Sequence, residues 1–118
     1  MDEIRLRRAY DAPDGGYRVL VDRLWPRGVS RADLELDEWA RDVAPSTELR
    51  AWFDHRAQRY TEFRDRYIGE LEHGPATDAV EQLLQTVRSH DDVVLVYATR
   101  DPEHNNALVL RDFLEEHR

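Results

Sequence analysis

Near the end of the chain stands Val93-Val94-Leu95-Val96-Tyr97, five consecutive apolar residues rich in β-branched types. No polar residue interrupts the run, so neither of its faces can be turned to water. Strands that read this way are interior members of parallel sheets, buried on both sides. The run therefore predicts a sheet with cover on both faces.

The rest of the chain supplies the parts. Residues 3–10 alternate, with Ile4, Leu6 and Arg8 on one side and Arg5, Arg7 and Ala9 on the other, which predicts a first strand. Asp11-Ala12-Pro13-Asp14-Gly15-Gly16 has turn composition. Residues 17–24 are rich in branched side chains and predict a second strand. So short a turn is too short for a helical crossover, and an N-terminal hairpin is the simplest link. A parallel arrangement through an unusual crossover is the alternative.

Residues 30–44 read as a short helix or two helical turns, with Ser30 and Asp37 as candidate caps and Leu34, Leu36, Trp39 and Val43 as apolar contacts. After Pro45, Ser46 caps a further helix from Thr47 to about Asp54, with Leu49, Trp52 and Phe53 on one face. Residues 57–73 are helical, with a stripe of Tyr60, Phe63, Tyr67 and Leu71, and Gly74-Pro75 stops them. Thr77 opens another helix bearing Val80, Leu83, Leu84 and Val87. Asp101-Pro102-Glu103 has the pattern of a helix start, and Ala107, Leu110, Phe113 and Leu114 form the inward face of that last helix.

The order predicts a small α/β sandwich: a short, mostly parallel sheet flanked by helices, with residues 1–118 forming one domain. The long connection between the second and third strands lets them lie parallel. Their carboxyl ends then share one edge, where ligands collect in such sheets.

Composition narrows the chemistry. Seventeen basic residues, all arginine, face 25 acids, for a net charge of −8. An acidic chain repels phosphate backbones, so nucleic-acid binding is disfavoured. Without lysine there is no Schiff-base nucleophile and no phosphate-loop lysine. Cysteine is absent as well, which removes thiolate catalysis, disulfides and zinc–cysteine sites. No apolar run approaches the roughly 20 residues of a membrane helix. The acidic beginning of the chain is unlike a signal peptide. A soluble, cytoplasmic protein is expected, with no membrane partner.

The residues at the predicted sheet edge carry the functional expectation. Val19-Leu20-Val21 leads directly into Asp22-Arg23-Leu24-Trp25-Pro26-Arg27. Arg23, Arg27 and Arg100 would line an anion pocket, because the planar guanidinium binds carboxylate or phosphate through paired hydrogen bonds. The competing reading is that Arg23 pairs with Asp22 or Asp101 and staples loops. Trp25 would stack on a flat ligand or fill space between sheet and helix. His55 would move protons or sit at a helix terminus. His55 and Asp22 are the candidate proton-transfer groups. A metal site from Asp22, His55, Asp101 and His104 lacks any ligand spacing of a known motif, and no metal or cofactor is expected. No nucleophile elbow or phosphate-cradling glycine loop occurs.

The blocks Gly16 to Ser30, Leu36-Asp37-Glu38-Trp39, Ala44 to Arg50 with Trp52-Phe53-Asp54-His55, and Tyr97-Ala98-Thr99-Arg100-Asp101 with Asn105-Asn106-Ala107 resemble the YeaO-like proteins, domain of unknown function 488. The resemblance spans nearly the whole chain. It implies a small bacterial or archaeal α/β protein with a functional edge around Asp22, Arg23, Arg27, His55, Arg100 and Asn105. Longer members of the wider superfamily carry a cysteine–histidine pair near the start of the last helix. The matching stretch here reads His104-Asn105-Asn106, without cysteine. Two functions are expected from this reading. The first is binding of a small anion (phosphate, carboxylate or nucleotide), with Arg23, Arg27, Arg100, Trp25 and Asn105 as ligand-binding residues. The alternative is a non-catalytic interaction or regulatory module, working with a partner protein or as a homodimer through its three tryptophans and five tyrosines.

Overall fold

The computed structural model describes residues 3–118. Four strands form one sheet: β1 (Glu3–Arg8), β2 (Tyr17–Leu20), β3 (Glu38–Trp39) and β4 (Asp92–Tyr97). Their spatial order is β1-β4-β2-β3, and every neighbouring pair is parallel. The helices are α1 (Arg31–Leu34), α2 (Thr47–Phe53), α3 (Tyr60–His73), α4 (Thr77–Ser89) and α5 (Asn106–His117), with single 3₁₀ turns at Arg41–Val43 and Ala57–Arg59. The α/β class expected from the sequence is the one observed.

The uninterrupted apolar run is the centre of the sheet. β4 pairs with β1 from Glu3↔Asp92 to Arg8↔Tyr97, and with β2 from Tyr17↔Val93 to Leu20↔Val96. All of Val93 to Tyr97 is buried. On one face, Ile4, Val19, Val21, Val93, Leu95 and Tyr97 pack against α3, α4 and α5 through side chains such as Phe63, Tyr67, Leu83, Leu110 and Leu114. Each fully buried Leu or Phe there contributes about 1.5–3 kcal/mol relative to exposure. On the other face, Leu20, Val94, Val96 and Ala9 meet Leu34, Trp25 and Trp39.

The N-terminal hairpin is not formed. β4 lies between β1 and β2, and those two strands run in the same direction. A strand apolar on both sides gains most by taking the middle position, which displaces the two flanking strands from one another. Residues 9–16 therefore cross over β4 without a helix. The loop is tied down by Arg5, whose guanidinium reaches Asp14 at 2.9 Å and Asp92 at 2.8 Å. Arg7 donates to the Ala12 carbonyl. Gly16, at φ +79°, passes so close that a Cβ would lie 2.8 Å from both Asp92 Oδ2 and Val94 Cγ2.

Residues 30–44 hold two helical turns, Arg31–Leu34 and Arg41–Val43, as one of the two expected readings had it, but a strand lies between them. Ser30 caps α1 by accepting from the Asp33 N–H at 3.0 Å, but that helix ends at Leu34. Asp37 is no helix cap, because its carboxylate accepts from the Arg18 backbone N–H at 2.8 Å. The next residues extend as edge strand β3, since β2 still has an open ladder to fill. The second strand itself stops at Leu20, earlier than its residue types suggested. The last helix begins at Asn106 rather than near Asp101, because Asn105 is its cap, accepting from the Leu108 N–H at 2.9 Å. Asp101 instead closes a separate turn by accepting from the N–H groups of Glu103 and His104. Ser46 caps α2 as its position predicts, accepting from the Leu49 N–H at 3.2 Å. Among the described residues no helix is long and apolar enough to cross a membrane.

Candidate functional site

Parallel strands deliver their carboxyl ends to one edge, and there β2 and β4 open a cleft. Asp22 leaves β2 and folds back into the structure. Its Oδ2 accepts from the Ala98 N–H at 2.9 Å and its Oδ1 accepts from Asn106 Nδ2 at 3.2 Å. Its own carbonyl accepts from Trp39 Nε1 at 2.8 Å. Burial pushes the Asp22 carboxyl above its ordinary range. The residue thus clamps the ends of β2 and β4 and the start of α5 around a common point.

Beside it lies a cavity of about 590 Å³. Its apolar wall is built from Leu24, Pro26, Ala44, Pro45, Ala51 and Phe53, and Arg23, Arg27 and Arg50 carry its positive charge. A second, more open compartment of about 640 Å³ adjoins it, lined by Arg8, Tyr10, Arg100 and Asp101. Arg27, His55, Ala98, Thr99 and His104 line both.

The charges in this cleft are unequal in an informative way. Each aspartate already has partners: Asp22 as described, Asp54 with Arg56 at 3.5 Å, and Asp101 with His104 and two backbone N–H groups. The arginines are less committed. Arg23 leans on the Ala44 and Pro45 carbonyls at 3.3 and 3.4 Å, with its Nε buried and unbonded. The guanidinium groups of Arg27, Arg50 and Arg100 are exposed and make no hydrogen bond or close ion pair among the described residues, although the charge of Arg50 acts on Asp22 and favours its ionised form. Five arginines in all line the two compartments, within a chain of net charge −8.

Two histidines stand where the compartments meet. His55 follows the end of α2, and both Asp54 (φ +49°) and His55 (φ +54°) adopt left-handed backbone. Two such residues in succession without glycine are strained, a condition found where geometry serves a site. His104 donates from Nδ1 to Asp101 Oδ2 at 2.8 Å, which orients the ring and leaves Nε2 outside that pair. The Tyr60 ring stands perpendicular to it with centroids 5.2 Å apart, while the Tyr60 hydroxyl donates to the Asn105 carbonyl at 2.9 Å.

The structure brings Asp22, Arg23, Trp25, Arg27, His55 and Asn105 to the first cavity, and places Arg100 in the second. Arg23 does not pair with Asp22 or Asp101; its nearest carboxylate is Asp42, 4.0 Å away. Trp25 is anchored by its Nε1–H on the Val29 carbonyl at 2.7 Å and meets Trp39 edge-on, so it packs as well as lines. The Asn105 amide is spent on capping α5 and donating to the Asp101 carbonyl. Sequence reasoning missed Arg50, which α2 carries into the cavity, and named His104 only within the discounted metal set, whereas it lines both compartments. The spacing Asp101-x-x-His104 was a readable sign of a local pair; nothing in the sequence marked Arg50. Among the described residues no group of three or more His, Asp or Glu is disposed to hold a metal ion.

Fold and cleft together define a small parallel α/β protein with a cationic cavity at the carboxyl edge of its sheet. The chain belongs to the YeaO-like DUF488 family. The family model described as "Inactive DUF488-N3 subclade" matches residues 3–118. The uncharacterised protein YeaO of Escherichia coli K12 is 40% identical over 113 residues, covering 94% of this chain and 96% of that protein. An uncharacterised protein of Mycobacterium tuberculosis H37Rv is 42% identical over 113 residues, covering 94% of this chain and 92% of its own length. No solved structure matches the chain.

Proposed function

We propose that this protein binds a small anionic ligand, a phosphate, carboxylate or nucleotide, in the arginine-lined cleft, as a cytoplasmic binding domain. The observation that carries this reading is the imbalance of partners in the cleft. Its aspartates are hydrogen-bonded within the protein, whereas the guanidinium groups of Arg27, Arg50 and Arg100 make no hydrogen bond or close ion pair among the described residues, Arg50 acting on Asp22 only at longer range. A guanidinium left open beside a half-enclosed cavity is a standing donor for an oxyanion. The cleft also sits where ligands bind in open parallel sheets. The subclade's description as inactive favours binding over turnover.

Thermal shift against inorganic phosphate, nucleoside monophosphates and dicarboxylates tests it. A ligand present at a hundred times its dissociation constant adds about 2.7 kcal/mol of stability. The expected result is a rise in Tm for one anion class, abolished in Arg50→Ala and weakened in Arg23→Ala. No response to any class, or equal response of wild type and both variants, rejects the reading.

A further inference from the structure

We infer that the ligand is an elongated organic bis-anion, gripped at one end in the inner compartment and at the other in the outer. This rests on the anion-binding reading above and adds the ligand's shape and charge number.

The compartments are two rooms with one seam, since Arg27, His55, Ala98, Thr99 and His104 belong to both. Each room has cations of its own. The inner one has Arg23 and Arg50; the outer one has Arg100 and Arg8. Arg8 is held in place by donating to the Ala98 and Thr99 carbonyls, at 3.1 and 3.0 Å, and by lying over the Tyr10 ring. Arg100 is free.

Size supplies the second step. A bare phosphate or acetate occupies a small part of a 590 Å³ cavity and leaves the exposed Leu24 on its apolar wall uncovered. An organic body covers that wall and removes its apolar surface from water. A body with one charged group satisfies the inner arginines only. A second oxyanion at the far end reaches Arg100, and because it is tethered it binds at high effective concentration.

The seam has a matching character. His104 is oriented by Asp101 and presents an uncommitted Nε2 there, and His55 is held in a strained conformation beside it. Both can hydrogen-bond the polar middle of a ligand passing from one room to the other.

Matched pairs of compounds test this by calorimetry: a hexose bisphosphate against the corresponding monophosphate, and adipate against hexanoate. The phosphate pair and the carboxylate pair distinguish which oxyanion is used. In at least one pair the bis-anion should bind about tenfold or more tighter. Arg100→Ala should erase that advantage, so that bis-anion and monoanion bind with equal affinity, whereas Arg50→Ala should weaken both. Both guanidinium groups are exposed and make no hydrogen bond among the described residues, so the variants are expected to fold, and circular dichroism checks it, above all for Arg50→Ala, whose charge acts on Asp22. If monoanions bind and the second charge adds nothing, or its advantage survives Arg100→Ala, the bis-anion inference falls while anion binding stands. If neither member of either pair binds, the bis-anion inference falls, and the thermal-shift series with inorganic phosphate and nucleoside monophosphates decides anion binding separately.

Discussion

Asp22 Oδ2 accepts a hydrogen bond from the Ala98 backbone N–H at 2.9 Å, joining the exits of two strands whose residues lie 76 positions apart in the chain. With its other oxygen on Asn106 Nδ2, this one carboxylate sets the spacing of β2, β4 and α5 around the cleft. Asparagine at this position keeps one acceptor and turns an NH₂ toward the second donor. Asp22→Asn should therefore cost about 1–3 kcal/mol in denaturant unfolding at the acid end of the stable range. The pH dependence has a definite sign. Burial raises the carboxyl above its ordinary 3.8, so its contribution is complete below that value and is lost as pH rises through the raised one. Asparagine does not titrate. The gap between wild type and variant should narrow with increasing pH; a gap that widens instead would contradict the assignment.

Asp92 should behave in the opposite sense. Arg5 grips it with two hydrogen bonds of 2.8 and 3.0 Å, which hold its carboxyl below the ordinary 3.8. Its stabilisation is present above that value and disappears as pH falls through the lowered one. The pair is solvated, so Asp92→Asn should cost only about 0.5–1 kcal/mol at neutral pH. The difference should vanish in acid, as followed by urea midpoints across a pH series.

Gly16 is the tight point of the crossover. Alanine there brings a Cβ within 2.8 Å of Asp92 Oδ2 and Val94 Cγ2, on a backbone at φ +79°. A loss of about 1–3 kcal/mol is expected. Gly15, at φ +94°, has nothing within 4 Å of its notional Cβ. Gly15→Ala should cost less, and equal midpoints for the two variants would show that the close approach does not matter.

His55→Gly should separate stability from binding. Left-handed backbone costs an ordinary residue about 1–2 kcal/mol, and glycine gives back roughly 0.5–1 of that in unfolded-state entropy. Thermal unfolding should show a gain of up to about 1 kcal/mol. Titration with the anion identified by thermal shift should show weaker binding, because an imidazole has left both compartments. Unchanged affinity would remove His55 from the site.

How far these positions could be read in advance follows from the range of the forces involved. Ser46 as a cap, the stripe Phe63, Tyr67 and Leu71, and the stop at Gly74 depend on neighbours within a turn or two, and all were legible. Edge strand β3 was not. Glu38 and Trp39 lack a strand pattern and extend because β2 offers them a ladder. The start of α5 was misplaced because Asp101 and Asn105 are both good caps, and only packing against the sheet selects the second. Arg23, Arg27 and His55 were legible as cleft residues through their place after strands and helices. Arg50 was not, because its role depends on where α2 rests rather than on its neighbours.

Local sequence accounts for which segments extend and which coil, edge strand β3 excepted, for the interior character of Val93 to Tyr97, and for the cationic, thiol-free character of the cleft. These follow from side-chain periodicity, capping chemistry and residue type, all of which act at short range. Strand order, and with it the meeting of two cavities at one seam, came from packing. β4 between β1 and β2 buries its apolar run on both sides, and no pattern within residues 9–16 announces that their loop must cross it.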